Sequence, residues 1–270
     1  MLLHERTDDR VLILTLAAPE QRNALGYDAV RELCAALRAA DADPGVGAVL
    51  LRAEGKVFSA GANLREFQAE LASSATDFYE SGGVWEELFT LVPTLGTPLV
   101  IAVQGPTRAG AVGLVALGDI VLASPAADFS LSEIRIGLFP IMVLPMVMRV
   151  VGVRAAQDLS LTGRVIDAEE AARLGLVSRV VPDDELLSTA RATAADLAGS
   201  APHALAYGRK LIARLADLPY EQAVHHARTM RGTFLHTPDI HEGVAAFLEK
   251  RAPDWHAPRS HAAQPEEDPS

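Results

Sequence analysis

The chain has 270 residues, 49% of them hydrophobic but only 5% aromatic, with a net charge of −11. That supports a substantial core in one large domain, or one domain plus an appendage, packed mainly by Ala, Val and Leu. Such an acidic balance argues against a broad phosphate-binding surface, and so against nucleic acid as a partner.

The opening MLLHERTDDR is charged early and has no apolar signal core. Other apolar runs are broken well short of a membrane span. The single cysteine, Cys34, cannot form an internal disulfide. The expectation is a cytoplasmic protein with no membrane partner.

In chain order, VLILTL (11–16) reads as a buried strand. Residues 27–41 place Val30, Leu33, Cys34 and Leu37 on one helical face. VGAVLLRA (46–53), TPLVIAVQG (97–105) and DIVLAS (119–124) read as further strands, with the small-residue helix AGAVGLVAL before the last. Strands alternating with helices predict an α/β core. Beyond about residue 140 the pattern is mostly helical. DAEEAARLGL starts with Asp167 and has Glu170 three residues on, like a capping box. Residues 183–199 place Leu186, Ala190, Thr193 and Leu197 on one face, and 237–250 place Ile240, Val244, Phe247 and Leu248 on another. The expected layout is an α/β core over 1–195, a helical region over 196–251 and a tail over 252–270, whose Pro, Glu, His and Ser content marks it as disordered. An apolar helical appendage suits contact with another subunit.

Several chemistries are set aside. The chain lacks a G-x-S-x-G nucleophile elbow and a phosphate-binding P-loop. His225 and His226 are adjacent, so on a helix they point about 100° apart and share a metal poorly; no metal site is expected. Two small-residue loops remain. VFSAGANLREF (57–67) leaves bare N–H groups at Ala60, Gly61 and Ala62 before a helix start at Asn63, and QGPTRAGAVGL (104–114) repeats the arrangement at Gly110. Two such donors converging on one oxygen make an oxyanion hole. Taken singly, each loop reads first as a tight helix–strand junction, and it is the pair, with an acid downstream, that favours chemistry. FSLSEIRIGLFP (129–140) then places one carboxylate, Glu133, in an apolar run, where it must be solvated, paired or useful.

Taken in order, PEQRNAL (19–25), FSAGANL (58–64), AVQGPTRAGAVGL (102–114), DIVLAS (119–124), SEIRIGLFP (132–140) and LTGRVIDAEEAARLGLVSRVVP (161–182) resemble the enoyl-CoA hydratase/isomerase family, the crotonase superfamily. The resemblance runs from about residue 10 to residue 251. It implies an α/β fold, a crotonase-like spiral of ββα units with a helical C-terminal trimerisation region, assembling as a homotrimer or a hexamer. It implies an acyl-CoA substrate with coenzyme A as carrier and no permanently bound cofactor. By motif position the catalytic N–H donors are Ala62 and Gly110. The CoA-contacting stretches are Arg22 to Ala24 and Ala60 to Leu64, including Ala62, Asn63 and Leu64, with Gly110 and Glu133 completing the thioester contacts.

The resemblance also exposes departures. Hydratases of this family carry two glutamates. The second corresponds to Glu133, but the first falls on Gly113. Arg108 lies close to the second loop, and Ile141-Met142-Val143 replaces glycines common in hydratases, implying a bulkier, more apolar acyl pocket with Trp85, Phe89 and Met142 as lining candidates. One carboxylate can still shuttle a proton between two carbons, so isomerase-type chemistry is expected, with Glu133 as sole acid/base, its pKa raised by apolar neighbours. An ion pair of Glu133 with Arg135 or Arg108 is the competing reading. A hydratase with an atypical first acid/base, a thioester hydrolase (disfavoured because Ile141 stands where that branch has aspartate) and a non-catalytic acyl-CoA-binding subunit are the alternatives. Asp119 is expected to fix a strand start, and Lys210 to sit on a solvated helix face.

Overall fold

The computed structural model describes residues 2–255. The expected tail therefore lies outside the described residues from position 256 onward. In chain order the strands are β1 (Leu2–Arg6), β2 (Val11–Leu16), β3 (Ala48–Ala53), β4 (Leu99–Val103), β5 (Thr107–Arg108), β6 (Ile120–Ala123), β7 (Asp128–Ser130), β8 (Ile166–Asp167) and β9 (Arg179–Val180). The helices are α1 (Tyr27–Ala42), α2 (Leu64–Glu70), α3 (Ala75–Leu91), α4 (Gly110–Ala116), α5 (Leu144–Thr162), α6 (Ala168–Leu174), α7 (Leu186–Ala198), α8 (Pro202–Leu215), α9 (Tyr220–Leu235) and α10 (Pro238–Glu249).

Strands β1-β2-β3-β4-β6-β9, in that order, form one sheet, and β5-β7-β8 form a smaller second one. Only β1 runs antiparallel in the large sheet. Its central strands are apolar on both faces, as a covered parallel sheet requires. Alternation divides them between two cores. Leu14, Val49, Leu51, Ile101, Val103 and Val121 face α1, α3 and α4, and Ile13, Ala48, Leu50, Val100, Ala102 and Leu122 face α7.

Helix α7 meets the sheet through Leu186, Ala190, Ala194 and Ala198. Of the expected face, Leu186 and Ala190 are buried and Leu197 packs at its edge, whereas Thr193 gives way to Ala194 and Ala198. An i, i+4 row of alanines lets the helix lie close, whereas Thr193 bonds the Thr189 carbonyl and accepts from Arg179. Close seating also shortens the strand predicted from residue 46. A methyl on Gly47 would stand 2.7 Å from the Ala198 Cα, and the Gly47 N–H already bonds the Arg10 carbonyl. The strand predicted over 97–105 narrows to Leu99–Val103.

Asp119 fixes a strand start, as expected: its carboxylate accepts the Leu99 N–H at 2.7 Å and pairs with Arg209 of α8. Asp239, at the start of α10, accepts the N–H groups of His203 and Ala204, capping α8. Lys210 is exposed on α8. The apolar stripe of α10 is not covered by the described residues: Phe247 is 82% and Leu248 73% exposed.

Ala194 is fully buried against the sheet, so Ala194→Leu overpacks that layer. The expected loss is about 1–3 kcal/mol of stability, read by chemical denaturation.

Candidate active site

The site is assembled from three loops that leave the same end of the large sheet. After β2 the chain turns through Arg22 and Asn23, both at positive φ (54° and 50°). Asn23 is fully buried. Its Oδ1 accepts the Ala18 N–H at 2.9 Å, and its Nδ2 donates to the carbonyls of Glu54 and Val57, each at 2.9 Å. Its own carbonyl accepts the Ser59 hydroxyl at 2.7 Å, and that hydroxyl accepts the Gly61 N–H. One asparagine thereby joins the turn after β2 to the loop after β3. Backbone bonds reinforce the join: Ala60 N–H to the Arg22 carbonyl, Leu25 N–H to that of Gly61, and Asn63 N–H to that of Leu25.

The loop after β3 sits on the loop after β4. Gly61 has φ +85°, and a methyl there would lie 2.5 Å from the Arg108 carbonyl oxygen and 3.2 Å from the Gly110 nitrogen. Only glycine permits both that conformation and that approach. On the facing side Ala109 is held at φ 51°, ψ −124°, an unfavourable conformation for a residue with a Cβ. Its N–H bonds the Ser130 carbonyl at 2.9 Å.

This geometry sets Ala62 and Gly110 side by side. A methyl on Gly110 would stand 3.7 Å from the Ala62 nitrogen and 3.1 Å from the Trp85 ring. Neither N–H has an acceptor among the described residues. The Gly110 N–H opens α4, where no helical carbonyl can reach it. Asn63 caps α2 by accepting the Arg65 N–H, as its place at the helix start predicts. Arg22 and Leu64 are exposed, while Ala24, Ala60, Ala62 and Asn63 are half-buried, so both stretches expected to contact CoA reach the surface.

Glu133 enters from a fourth loop, the one after β7 of the smaller sheet, three residues after Ser130. It lies in a short 3₁₀ helix, Ser132–Ile136, ended by Gly137 in the left-handed conformation. Arg135 anchors this helix by donating to the Gly163 carbonyl at 3.0 Å. Glu133 is 8% exposed, and its buried Oε2 has no hydrogen-bond partner among the described residues. Burial pushes its pKa above the ordinary 4.5, and its own N–H offsets this in part.

The competing ion-pair reading is corrected here. Arg108 pairs with Asp128 and donates to the Thr107 and Asp128 carbonyls, and Arg135 is held by Gly163. Both guanidiniums have nearer backbone acceptors in their own loops. Only the backbone of Arg108 borders the paired donors.

Gly113 follows Gly110 by one turn of α4 and is buried. Trp85 and Phe89, one turn apart on α3, stack with centroids 5.6 Å apart and lie over Gly110 and Gly113 respectively. Of the three residues after Pro140, only Val143 turns inward. Ile141 is 65% exposed and Met142 is exposed beside it, which corrects the expectation that all three thicken the pocket. Asn23 lay inside a stretch assigned to CoA contact, but its bracing role was missed. Its signal was a buried-turn asparagine between two apolar strands, legible only once its partners are known.

The sequence profile described as Enoyl-CoA hydratase/isomerase matches residues 6–258. A Thermus thermophilus protein, provisionally named an enoyl-CoA hydratase, is 37% identical over 90% of this chain and 96% of its own length. The 2,3-dehydroadipyl-CoA hydratase of Escherichia coli is 32% identical over 91% of this chain and 95% of its own. The crystal structure of an enoyl-CoA hydratase from Mycobacterium smegmatis superposes with a TM-score of 0.89 at 34% identity, covering 95% of this chain and 99% of that one.

Asn23→Ala strands the Ala18 N–H and the Glu54 carbonyl and leaves the Val57 carbonyl only a 3.4 Å bond from Gln104 Nε2. It is expected to cost at least about 2 kcal/mol in denaturant unfolding, each buried orphan costing about 1–3.

Proposed function

The chain belongs to the enoyl-CoA hydratase/isomerase family, and from that premise we propose that it is an isomerase-type member moving a double bond within an enoyl-CoA thioester, with Glu133 as the only acid/base. The observation that carries this reading is the buried Glu133 carboxylate, unpartnered at Oε2 among the described residues, on the loop whose Ser130 carbonyl holds Ala109, the residue before the second of two N–H groups without an acceptor there.

In this reading the thioester oxygen accepts from Ala62 and Gly110 while coenzyme A lies along Arg22 to Ala24 and Ala60 to Leu64. Glu133 removes a proton from C2 of a 3-enoyl thioester. The electron pair moves onto the carbonyl oxygen, where the two N–H groups hold the charge. The same carboxyl returns the proton to C4, leaving a 2-enoyl thioester of unchanged mass. One carboxylate suffices because the proton leaves and returns through it, whereas hydration asks for activation of a water as well. The raised pKa of Glu133 brings its acid and conjugate base closer in population near neutral pH. Trp85 and Phe89 would line the acyl chain.

Hydration is the rival, and the Thermus and Escherichia coli relatives, both named hydratases, favour it. Purified protein offered a 3-enoyl-CoA and, separately, a 2-enoyl-CoA separates the two by chromatography and mass spectrometry. An isomer of unchanged mass from the 3-enoyl substrate is expected; a product heavier by one water from the 2-enoyl substrate sinks the proposal. Glu133→Gln is expected to lower isomerisation by about 10²–10⁴-fold. The acid limb of kcat/KM is expected above pH 4.5, the ordinary value that burial raises. Stability follows the same shift. The folded state holds the Glu133 proton to higher pH than the unfolded state, so this group's contribution is complete below 4.5 and lost as pH rises through the folded value. Glu133→Gln should therefore gain thermal stability relative to wild type on going from acidic to neutral pH.

Self-association is part of the same reading. The exposed Ile240, Val244, Phe247 and Leu248 of α10 make an apolar stripe suited to a second copy. Light scattering is expected to give three or six times the monomer mass, and a monomer at micromolar concentration would refute it.

A further inference from the structure

The wall over α4 has an unusual composition for a site that moves protons. Gly110 and Gly113 share one face of the helix, separated by one turn, about 4.5 Å of axial rise. Trp85 covers the first and Phe89 the second. Val143 closes what remains. A methyl on Gly113 would stand 2.6 Å from Val143 Cγ1, 2.9 Å from its Cβ and 3.4 Å from Phe89 Cζ. Val143 is 3% and Phe89 7% exposed. The space one turn from the second N–H donor is thus filled by hydrocarbon that no added side chain can share. Val143 also ends the turn that starts at Glu133, since it is the residue before α5, whose first N–H bonds the Pro140 carbonyl.

We infer that Val143 is a specificity-determining residue: packed on Gly113 and Phe89, it denies water a place beside the reacting carbons, so that the proton taken by Glu133 is returned to the same substrate molecule. The inference rests on the isomerase reading and goes beyond it, because a single carboxylate in a wet site would exchange its proton with solvent before returning it. A water molecule needs both room and polar partners. Gly113 offers no side chain, and Val143 and Phe89 offer only carbon. Exclusion of water from such a site suppresses proton leakage and side reactions.

The measurement is isomerisation of a 3-enoyl-CoA in deuterium oxide, with the deuterium content of the 2-enoyl product read by mass spectrometry at early conversion. Wild type is expected to return mostly the original proton. Val143→Thr keeps the branched shape but adds a hydroxyl that gives water a partner, and Val143→Ala opens room. Both are expected to raise the solvent-derived fraction severalfold, with the smaller change in rate for Val143→Thr. A structural check is independent of turnover: Gly113→Ala should lower the melting temperature in wild type and much less in the Val143→Ala background. Wild type that isomerises but carries full solvent deuterium, or variants with unchanged label, overturn the inference and leave the isomerase reading standing. A wild type that turns over neither thioester, or hydrates the 2-enoyl one, overturns both.

Discussion

The site depends on one close approach, the seating of Gly61 on the backbone of Arg108, Ala109 and Gly110. Two N–H groups can converge on one oxygen only if two chain segments come nearer than side chains allow. Gly61 and Gly110 make room on either side, and a methyl at Gly61 would lie 2.5 Å from the Arg108 carbonyl. The cost appears at Ala109, which keeps a positive φ because the Ser130 carbonyl and the start of α4 hold it there. Asn23 supplies the other half of the constraint. It ties the turn after β2 to the loop after β3 through hydrogen bonds from its side chain and its carbonyl.

Glu133 works against the fold that carries it. An unpaired buried carboxylate favours its neutral form, so at neutral pH the protein retains a destabilising group that Arg108 and Arg135 could have neutralised. Arg135 is two residues from Glu133, and Arg108 precedes Ala109, whose N–H bonds Ser130 of the same loop; both guanidiniums donate to backbone carbonyls instead. Diverting them keeps the pKa of Glu133 high. A salt bridge would have stabilised the carboxylate and lowered its pKa, which would make it a weaker base in the proposed mechanism.

Much of this was legible beforehand, for stated reasons. Buried parallel strands are continuous apolar runs, so β2, β3, β4 and β6 stood out. The face of α1 through Val30, Leu33, Cys34 and Leu37 followed from helical period alone. Small-residue loops announced the paired donors, since a missing side chain is itself a signal. What stayed hidden depends on contacts across the chain. The face of α7 could not be chosen between Leu197 and Ala194 without knowing how closely the helix approaches β3. The two-residue strands β5, β8 and β9 have no period to read. Arg108 looked like a partner for Glu133 because sequence distance says nothing about Asp128. The inward turn of Val143 beside the exposed Ile141 and Met142 is likewise a property of the turn, not of the residue types.

Membership of the enoyl-CoA hydratase/isomerase family points to an acyl-CoA thioester as substrate. It leaves open what happens to the proton. That choice rests on few side chains, and here they are mostly subtractions: no carboxylate at Gly113, no cation on Glu133, no polar atom on Val143. A second glutamate on Gly113 would need Val143 and Phe89 to withdraw, so the loss of one acid and the gain of an apolar plug are coupled by volume. The two changes belong together physically. A site with only one of them would hold either a cavity that admits water to a lone base or an acid with no space to occupy.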